Sequence, residues 1–291
     1  MEWTESLRRS IQFIEDNLLE QIGPSQVGEH VHISPFYLQK GFKILTGYSI
    51  GEYIRCRRLY MAALDLISDR EKVIDLAYKY GYDTPESFTK AFSRFHGVTP
   101  AQMKGSARKI RTFLPLKITV SIQGGNDMDY TVEKMGPMHM IGYETEVCYE
   151  NSYETIPESW DAFCAACRGG SNPAETQKVI EDCMIGEYGI CLEDMPGENR
   201  FHYLIAGNYH GGTVPEGMKV VDIPALEWVK FHCTGPLPGA LQSVNTQIFK
   251  EWLPGNPDYE IAMGLVIEWY ACGDTRSPEY ESGIWIPVRH K

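Results

Sequence analysis

The sequence predicts a multidomain protein, with an all-α N-terminal domain that holds two helix-turn-helix motifs and a following α+β domain. Three observations predict it. A pattern of cap, proline, apolar stripe and glycine occurs twice in the first 111 residues, the net charge changes sign along the chain, and strand-like alternation recurs in the second part. With 291 residues, 43% of them hydrophobic, the chain can bury more than one core.

The clearer of the two motifs lies between residues 72 and 104. A short amphipathic helix runs up to a turn at Gly81, and a second helix begins at Thr84, whose side chain can cap it, with Pro85 in its first turn. Its apolar stripe has 3.6-residue spacing and ends before Gly97: Phe88, Ala91, Phe92 and Phe95. Its outer face carries small hydroxyls and charges, a face that suits a DNA major groove: Glu86, Ser87, Thr89, Lys90 and Arg94.

The same pattern occurs 50 residues earlier in the chain. Ser34-Pro35 corresponds to Thr84-Pro85, and Gly47 corresponds to Gly97. The joining segment 49–68 is helical by its period and would be about 28 Å long. Since successive major-groove faces lie about 34 Å apart, one chain could read two neighbouring segments of a duplex. A single such hairpin is more often an ordinary pair of helices with a solvated face, and the repetition is what favours DNA binding.

Charge divides the chain into two parts. Residues 1–111 hold 16 basic and 13 acidic residues, a net charge of +3, whereas residues 112–291 hold 11 and 26, a net charge of −15. Because affinity for nucleic acid depends on neutralising phosphates, only the first part is predicted to bind DNA. We therefore predict a DNA-binding domain at 1–111, a linker at 112–127 with its turn at Gly124-Gly125, and a second domain at 128–291.

The second domain shows a weak internal duplication of strand-helix-strand-strand units. Such units predict one curved antiparallel sheet with a helix packed from each half and a cleft where the halves meet. The first copy is predicted from strands at 128–147, a helix at 156–168 and strands at 185–193 and 201–208; the second from strands at 218–235, a helix at 241–253 and strands at 263–272 and 282–288.

The remaining motifs exclude several kinds of site. Eight cysteines are scattered, and the close pair Cys164-x-x-Cys167 has no second ligand pair, so buried or idle reduced thiols are favoured over a metal or redox site. No catalytic, cofactor-binding or metal motif is found, and we expect none of the three. No run approaches 18 apolar residues and the first residues are polar, so we expect a cytoplasmic protein without a membrane partner.

Residues 4–106 resemble the DNA-binding domain of the AraC/XylS family of bacterial transcription regulators. The resemblance rests on L-x-K-G-F-K-x-x-T-G-x-S-x-x-x-Y-I-R-x-R-R-L at 38–59, I-D-L-A-Y-K-Y-G-Y at 74–82 and F-T-K-A-F-S-R-F-H-G-V-T-P at 88–100. It implies base-reading positions at Phe36, Gln39 and Lys40 in the first recognition helix, and at Glu86, Ser87, Thr89 and Lys90 in the second. We add Ser34 and Arg94 as neighbouring DNA-binding candidates. Glu86 departs from the family, in which an amide or a cation is more usual at this position. A carboxylate can accept only from the amino group of cytosine and is repelled by phosphate.

The second domain is similar to the GyrI-like effector-binding domains of the Rob/BmrR type. The resemblance rests on the order of elements and on I-E-W-Y-A-C-G-D at 267–274 followed by G-I-W-I-P-V at 283–288. It implies that Glu268 is a pocket carboxylate and that Trp285 is a pocket aromatic. Tyr270, two residues after Glu268, shares its strand face because side chains alternate along a strand. Further candidate walls are Trp160, Tyr188 and Trp228. The alternative is a glutamate on the solvent face of an edge strand.

Together the two resemblances imply a DNA-binding transcription regulator, an activator as in most of its family, that also contacts RNA polymerase. An anionic, aromatic cleft favours a small lipophilic cationic or drug-like effector. We expect no enzyme. The alternative is a GyrI-like hydrolase, with Glu268 as general base beside Tyr270 or Tyr188, or a protein that sequesters drugs.

Overall fold

The computed structural model describes residues 3–68, 71–104, 110–118, 128–149, 151–170, 172–193 and 200–291. The chain divides into two compact units, Met1–Ser121 and Ile122–Lys291. No helix in the described part of the chain is both long and apolar enough to cross a lipid bilayer.

The first unit is helical, as predicted. Its helices are α1 (Trp3–Asp16), α2 (Pro24–Val31), α3 (Pro35–Thr46), α4 (Ile50–Ile67), α5 (Val73–Lys79), α6 (Pro85–His96) and α7 (Pro100–Lys104). The pairs α2–α3 and α5–α6 are the two helix-turn-helix motifs, and α4 is the helix that joins them.

The two recognition helices, α3 and α6, begin and end in the same way. The Thr84 side chain accepts a hydrogen bond from the Ser87 backbone N–H at 3.1 Å, and Ser34 accepts one from Tyr37 at 3.5 Å. At the other end, Gly47 and Gly97 have φ values of 79° and 76°, a left-handed conformation that residues with a Cβ rarely adopt. The repeated sequence pattern therefore produces two helices of equal length, 12 residues each.

Residues 110–118 pack against the first unit, although they carry no regular secondary structure. Ile110 and Phe113 contact the apolar core formed by α4, α5, α6 and α7. The predicted linker at 112–127 therefore includes residues that belong to the first unit in the structure. Its remainder, 119–127, lies outside the described residues, as does the turn predicted at Gly124-Gly125.

The second unit contains strands and helices in alternation. Its elements are β1 (Tyr130–Met135), β2 (Met138–Cys148), α8 (Ser152–Gly169), α9 (Ala174–Asp182), β3 (Tyr188–Leu192), β4 (Arg200–Asn208), β5 (Met218–Ile223), β6 (Leu226–Thr234), α10 (Gly239–Gln247), a π-helical turn (Ile248–Trp252), α11 (Leu253–Gly255), β7 (Tyr259–Ile261), β8 (Leu265–Tyr270) and β9 (Glu281–His290). The predicted duplicated units of strand, helix and two strands are confirmed. The helix α9 and the short strand β7 were not predicted.

All the strand pairs recorded in this unit are antiparallel, in the order β1-β6-β9-β8-β3-β4-β2-β5, with β7 on β9. The order reads the same from either end of the sheet when β1, β2, β3 and β4 are exchanged with β5, β6, β8 and β9, respectively. The centre of this pseudo-twofold arrangement is the β3–β8 pair. Each half also gives its first strand to the other half, because β1 pairs with β6 and β5 pairs with β2.

The sheet has two different faces, because side chains alternate along each strand. One face packs against α8 and the helical segment 239–252, as contacts of Trp160 with Tyr203 and of Trp252 with Phe231 show; we call it the helix-covered face. The opposite face holds an apolar cluster whose members reach from β6, next to one edge of the sheet, to β5 at the other edge, so the sheet curves around it: Met140, Ile190, Leu204, Ala206, Ile223, Trp228, Leu265 and Ile267.

Candidate functional site

The second recognition helix, α6, presents the outer face that the sequence predicts. Its apolar stripe is buried, with Phe88 and Phe92 fully inaccessible. Glu86, Ser87, Lys90 and Arg94 are exposed, and Thr89 is half-buried. The helix can therefore offer hydroxyls and two cations to a duplex, with one carboxylate near its N-terminus.

The first recognition helix, α3, differs from this prediction. Phe36 and Gln39 are each only 3% exposed, so neither side chain can reach a base in this conformation. Lys40 and Ser34 are half-buried, and the Lys40 ammonium lies 5.7 Å from the centre of the Phe36 ring. Of the three base-reading positions predicted in α3, only Lys40 has an accessible side chain. Base reading by Gln39 stays a prediction that requires the amide to become exposed.

In the second unit, Glu268 lies on the helix-covered face of β8 and is half-buried. The Tyr270 hydroxyl donates a hydrogen bond to Glu268 Oε2 at 2.8 Å. The Tyr203 hydroxyl, on β4, donates to the same oxygen at 3.4 Å and accepts a bond from Trp160 Nε1 at 2.8 Å. The Trp160 and Tyr270 rings meet edge to face with centroids 5.2 Å apart. Three predicted site residues, Glu268, Tyr270 and Trp160, are thus brought together.

Sequence reasoning missed Tyr203, which is completely buried. Its strand reads F-H-Y-L-I, and register alone places Tyr203 opposite Cys191 and beside the strand that pairs with β8. The alternation of the strand indicates that Phe201, Tyr203 and Ile205 share one face. The sequence does not show, however, which strands lie beside this one.

The charge of Glu268 influences the groups around it. Burial raises the pKa of Tyr203 and of Tyr270 well above the ordinary range, and the nearby Glu268 charge raises both further. Both phenols therefore remain protonated and can donate to the carboxylate. Burial, followed by the Glu268 charge, also raises the pKa of the Cys233 thiol to about 12.

The strand β3 makes room for this cluster through Gly189. Gly189 pairs with Glu268 across the β3–β8 ladder. A Cβ at this position would lie 2.2 Å from the Tyr203 hydroxyl oxygen and 3.3 Å from Glu268 Oε2. Because no side chain fits within such a distance, glycine allows the phenol to approach the carboxylate beneath the strand.

The other three predicted pocket aromatics lie on the opposite face of the sheet. Trp285 pairs with Ile267, the neighbour of Glu268, and Tyr188 pairs with Trp269, so alternation turns both away from the carboxylate. Their rings contact one another at 5.8 Å, and Trp285 also contacts Trp228, which is fully buried in the apolar cluster. The grouping of Trp285, Tyr188 and Trp228 with Glu268 was therefore wrong, because the three rings lie on the face of the sheet opposite the carboxylate.

A separate open groove of about 520 Å³ lies between α8 and β2. It is lined by Tyr143, Glu144, Thr145, Thr155, Glu158, Ser159, Ala162, Phe163, Ala166, Asn172 and Ile205. None of the predicted site residues lines it. Within the described residues, no cluster of three or more His, Cys, Asp or Glu side chains is arranged to hold a metal ion.

Comparison with known families and proteins agrees with this two-part architecture. Residues 131–288 match a family described as an integron-associated effector-binding protein, Cass2, and residues 27–106 match a helix-turn-helix domain family. The multiple antibiotic resistance protein MarA of Escherichia coli is 33% identical over 103 residues, which cover 34% of this chain and 81% of MarA. The transcriptional activator AarP of Providencia stuartii is 36% identical over 89 residues, 31% of this chain and 66% of AarP.

Among solved structures, an integron cassette protein of Vibrio cholerae is 16% identical, covers 55% of this chain and 95% of its own, and has a TM-score of 0.40. The chain spans just under two thirds of AarP, and more of MarA. Since the effector-binding family covers more than half of the 291 residues, and MarA is matched over most of its length, the chain belongs to the AraC/MarA-type DNA-binding transcription regulators and carries a Cass2/GyrI-like effector-binding domain.

Proposed function

We propose that this protein activates transcription in response to a small lipophilic cation that binds at Glu268. In this proposal both helix-turn-helix motifs contact double-stranded DNA, α6 through its exposed face and α3 through Lys40. The DNA-bound protein recruits RNA polymerase. In this proposal the protein uses no cofactor and catalyses no reaction.

The observation that carries the effector proposal is the environment of the Glu268 carboxylate. It lies among aromatic rings and accepts two phenol hydrogen bonds on one oxygen, Oε2. In the described part of the chain, its recorded contacts include no lysine, arginine or histidine. A half-buried carboxylate without a cationic neighbour is costly, and a bound cation would offset that cost while its apolar groups contact Trp160 and Tyr270.

The exposed face of α6 supports the DNA-binding part of the proposal. Lys90 and Arg94 are one helical turn apart and both exposed, so their charges can face the same strand of phosphates. Neither forms a recorded ion pair within the described residues, and both charges remain available to a duplex. Glu86 at the start of the helix limits readout there to an amino group such as that of cytosine.

The effector site is tested by Glu268→Gln, which keeps the shape of the side chain and removes its charge. Calorimetry of the full chain compares methyltriphenylphosphonium with neutral triphenylphosphine oxide, which has nearly the same outline. We expect the cation to lose about 1–3 kcal/mol of binding free energy, within the range that Coulomb's law gives for two unit charges about 4 Å apart between bulk water and a protein surface. The neutral compound should change much less.

Glu279→Gln is the matched control, because Glu279 is an exposed carboxylate of the same unit. It removes one negative charge without touching the Glu268 cluster and should leave cation affinity unchanged. If Glu268→Gln and Glu279→Gln weakened the cation equally, only the overall charge of the unit would matter. The proposed site would then be wrong.

DNA contact by α6 is tested with Lys90→Ala in the full chain, on a duplex selected by the protein from a random-sequence pool. Removing one phosphate contact should weaken binding and reduce the slope of affinity against salt by about one. Lys250→Ala removes an exposed charge from the second unit and serves as control. Equal losses in the two variants would contradict a specific role for α6.

Activation and catalysis are separated by two further assays. Transcription in vitro by purified RNA polymerase, from a promoter beside the selected site, should rise with the full chain and respond to methyltriphenylphosphonium. A fall in transcription would indicate a repressor.

The alternative hydrolase is tested by incubating an aromatic ester with the wild type and with Glu268→Gln. Turnover that disappears in the variant would favour an enzyme with Glu268 as general base, since within the described residues Glu268 Oε1 accepts no recorded hydrogen bond.

A further inference from the structure

Residues 110–118, which we call the strap, cross the first unit after its last helix and are held there by side chains of α4. The Phe113 carbonyl accepts a hydrogen bond from the Arg57 guanidinium. Three residues further on, the Leu116 backbone N–H donates to the Tyr53 hydroxyl at 3.2 Å. Two backbone groups of the strap are therefore fixed to one helix. The side chains of Ile110, Phe113, Leu116 and Ile118 are half-buried, whereas Leu114 is 64% exposed.

The Arg57 anchor is itself part of a closed network. Arg57 is only 5% exposed and forms a bidentate ion pair with Glu15 of α1, with N–O distances of 2.7 to 3.0 Å. Tyr53 donates to the same carboxylate at 2.7 Å. Because the network joins α1, α4 and the strap, displacing the strap would leave the Nη1 donor of the buried Arg57 without its acceptor, the Phe113 carbonyl.

The Phe113 ring connects the two helix-turn-helix motifs. It packs edge to face against Tyr48 at 5.3 Å, the residue that follows the Gly47 end of α3. It also contacts Phe95 of α6 at 6.2 Å, and Tyr53 of α4 at 5.9 Å. The Arg111 guanidinium covers the Phe95 ring at 4.7 Å. One side chain thus contacts the end of the first motif, the joining helix and the second recognition helix.

We propose that the strap, through Phe113, fixes the orientation of α3 relative to α6 and so determines the spacing between the two DNA segments that the protein binds. The proposal rests on the proposed function, in which both motifs contact DNA. Phe113 acts as a positioning residue, since it lies against the cores of both motifs and not on the exposed face of α6. A site of fixed spacing requires two readers at a fixed angle, and the ring contacts supply that constraint.

The test measures spacing preference with the full chain. A duplex selected by the wild type is lengthened or shortened by one to three base pairs between its two contacted segments. We expect the wild type to bind the original spacing about tenfold better than a spacing changed by two base pairs, because such a change rotates one segment away from its reader. In Phe113→Ala this ratio should fall to about twofold. Affinity for a duplex with only one intact segment should stay the same.

Two variants separate positioning from loss of fold. Leu114→Ala changes the exposed neighbour of Phe113 and should keep the wild-type spacing preference. Phe113→Leu retains apolar volume without the ring contacts and should lie between wild type and Phe113→Ala. An unchanged ratio in a folded Phe113→Ala protein would overturn the proposal, as would an equal loss of affinity for the one-segment duplex.

A measurement without DNA keeps this inference distinct from the proposed function. Spin labels carried by unnatural amino acids at exposed Glu29 of α2 and Lys90 of α6 report the distance between the two motifs. We expect one narrow distance distribution in the wild type and in Leu114→Ala, and a broader one in Phe113→Ala. If the wild type binds no DNA but the distance distribution is still broader in Phe113→Ala, the proposed function fails and the positioning role of Phe113 stands. An unchanged distribution would overturn the positioning role.

Discussion

The two faces of the sheet in the second unit use the same strands for different purposes. On the helix-covered face, Glu268, Tyr270 and Tyr203 form a polar cluster beneath Trp160. On the opposite face, Tyr188, Trp228 and Trp285 pack with aliphatic side chains. Neighbouring residues of one strand, such as Ile267 and Glu268, belong to the two different sets.

This difference teaches that an aromatic residue close in sequence to a pocket carboxylate need not line the pocket. The Lys230 ammonium lies 4.2 Å from the centre of the Trp285 ring and also forms an ion pair with Glu133. The aromatic residue on that face therefore already has a cation from the protein itself. Glu268, on the other face, has phenol donors and, among the residues that the structure describes, no recorded cation.

The largest expected effect belongs to Trp228→Ala, which tests whether the opposite face is purely a core. Trp228 is fully buried, so its truncation leaves a cavity and should lower the free energy of unfolding by about 3–5 kcal/mol, measured by urea titration. Cation affinity at Glu268, measured by calorimetry at a temperature where the variant is folded, should not change. Trp228→Phe is the control, because it keeps most of the apolar volume and removes an indole N–H that has no hydrogen-bond partner in the described structure.

A fall of cation affinity in Trp228→Ala, in step with its stability, would show that the two faces are coupled. The helix-covered face could then not be separated, as a binding site, from the opposite face, as a core.

The sequence predicted most of the fold because each element carries its own local signal. The strands around Pro137 and Pro224 alternate, the helix at 156–168 has an apolar stripe, and the caps at Ser34 and Thr84 start the helices that the structure shows. What could not be predicted depends on contacts between distant segments. The exchange of β1 and β5 between the halves, and the approach of Tyr203 to Glu268 past Gly189, are set by strand order and register.

The candidate site was predicted in part for the same reason. Tyr270 lies two residues from Glu268, so alternation alone placed it correctly, whereas the position of Trp285 required knowledge of the β8–β9 register. In the first unit, the local pattern predicted α3 and α6 equally well but could not show that Gln39 is buried while Lys90 is exposed. Exposure is a property of the assembled tertiary structure.

An intermediate effect is expected from pH, through Cys233 on the helix-covered face. Its pKa is raised from 9.0 to about 12, so the fold favours the protonated thiol. The contribution of Cys233 to the free energy of unfolding is therefore fully present below pH 9. It is lost as the pH rises toward 12, by at most about 1.4 kcal/mol per pH unit. The free energy of unfolding of the wild type, relative to that of Cys233→Ala, should therefore fall between pH 8.5 and pH 10.5.

Glu268→Gln sharpens this prediction, because the Glu268 charge is the second cause of the shift after burial. Without that charge the pKa of Cys233 should fall, and the loss of stability at alkaline pH should become smaller. If Glu268→Gln leaves the pH dependence of the Cys233 contribution unchanged, the thiol and the carboxylate do not share the helix-covered face as closely as the structure shows.

The smallest effect is expected from Trp285→Ala on cation binding, and it is the direct test of the division between the faces. Trp285 is half-buried on the opposite face, beneath Lys230 and beside Tyr188, so its removal should cost stability but should change the affinity for methyltriphenylphosphonium by less than about 0.5 kcal/mol, within the range of a distant, independent site. Trp160→Ala is the matched comparison, since Trp160 contacts both Tyr203 and Tyr270 and should weaken the cation by about 1 kcal/mol or more. Calorimetry of both variants under identical conditions decides the matter: if Trp285→Ala weakens the cation more than Trp160→Ala, the effector lies against the opposite face, and the grouping of Trp285 with Glu268 that the family resemblance implied would be restored.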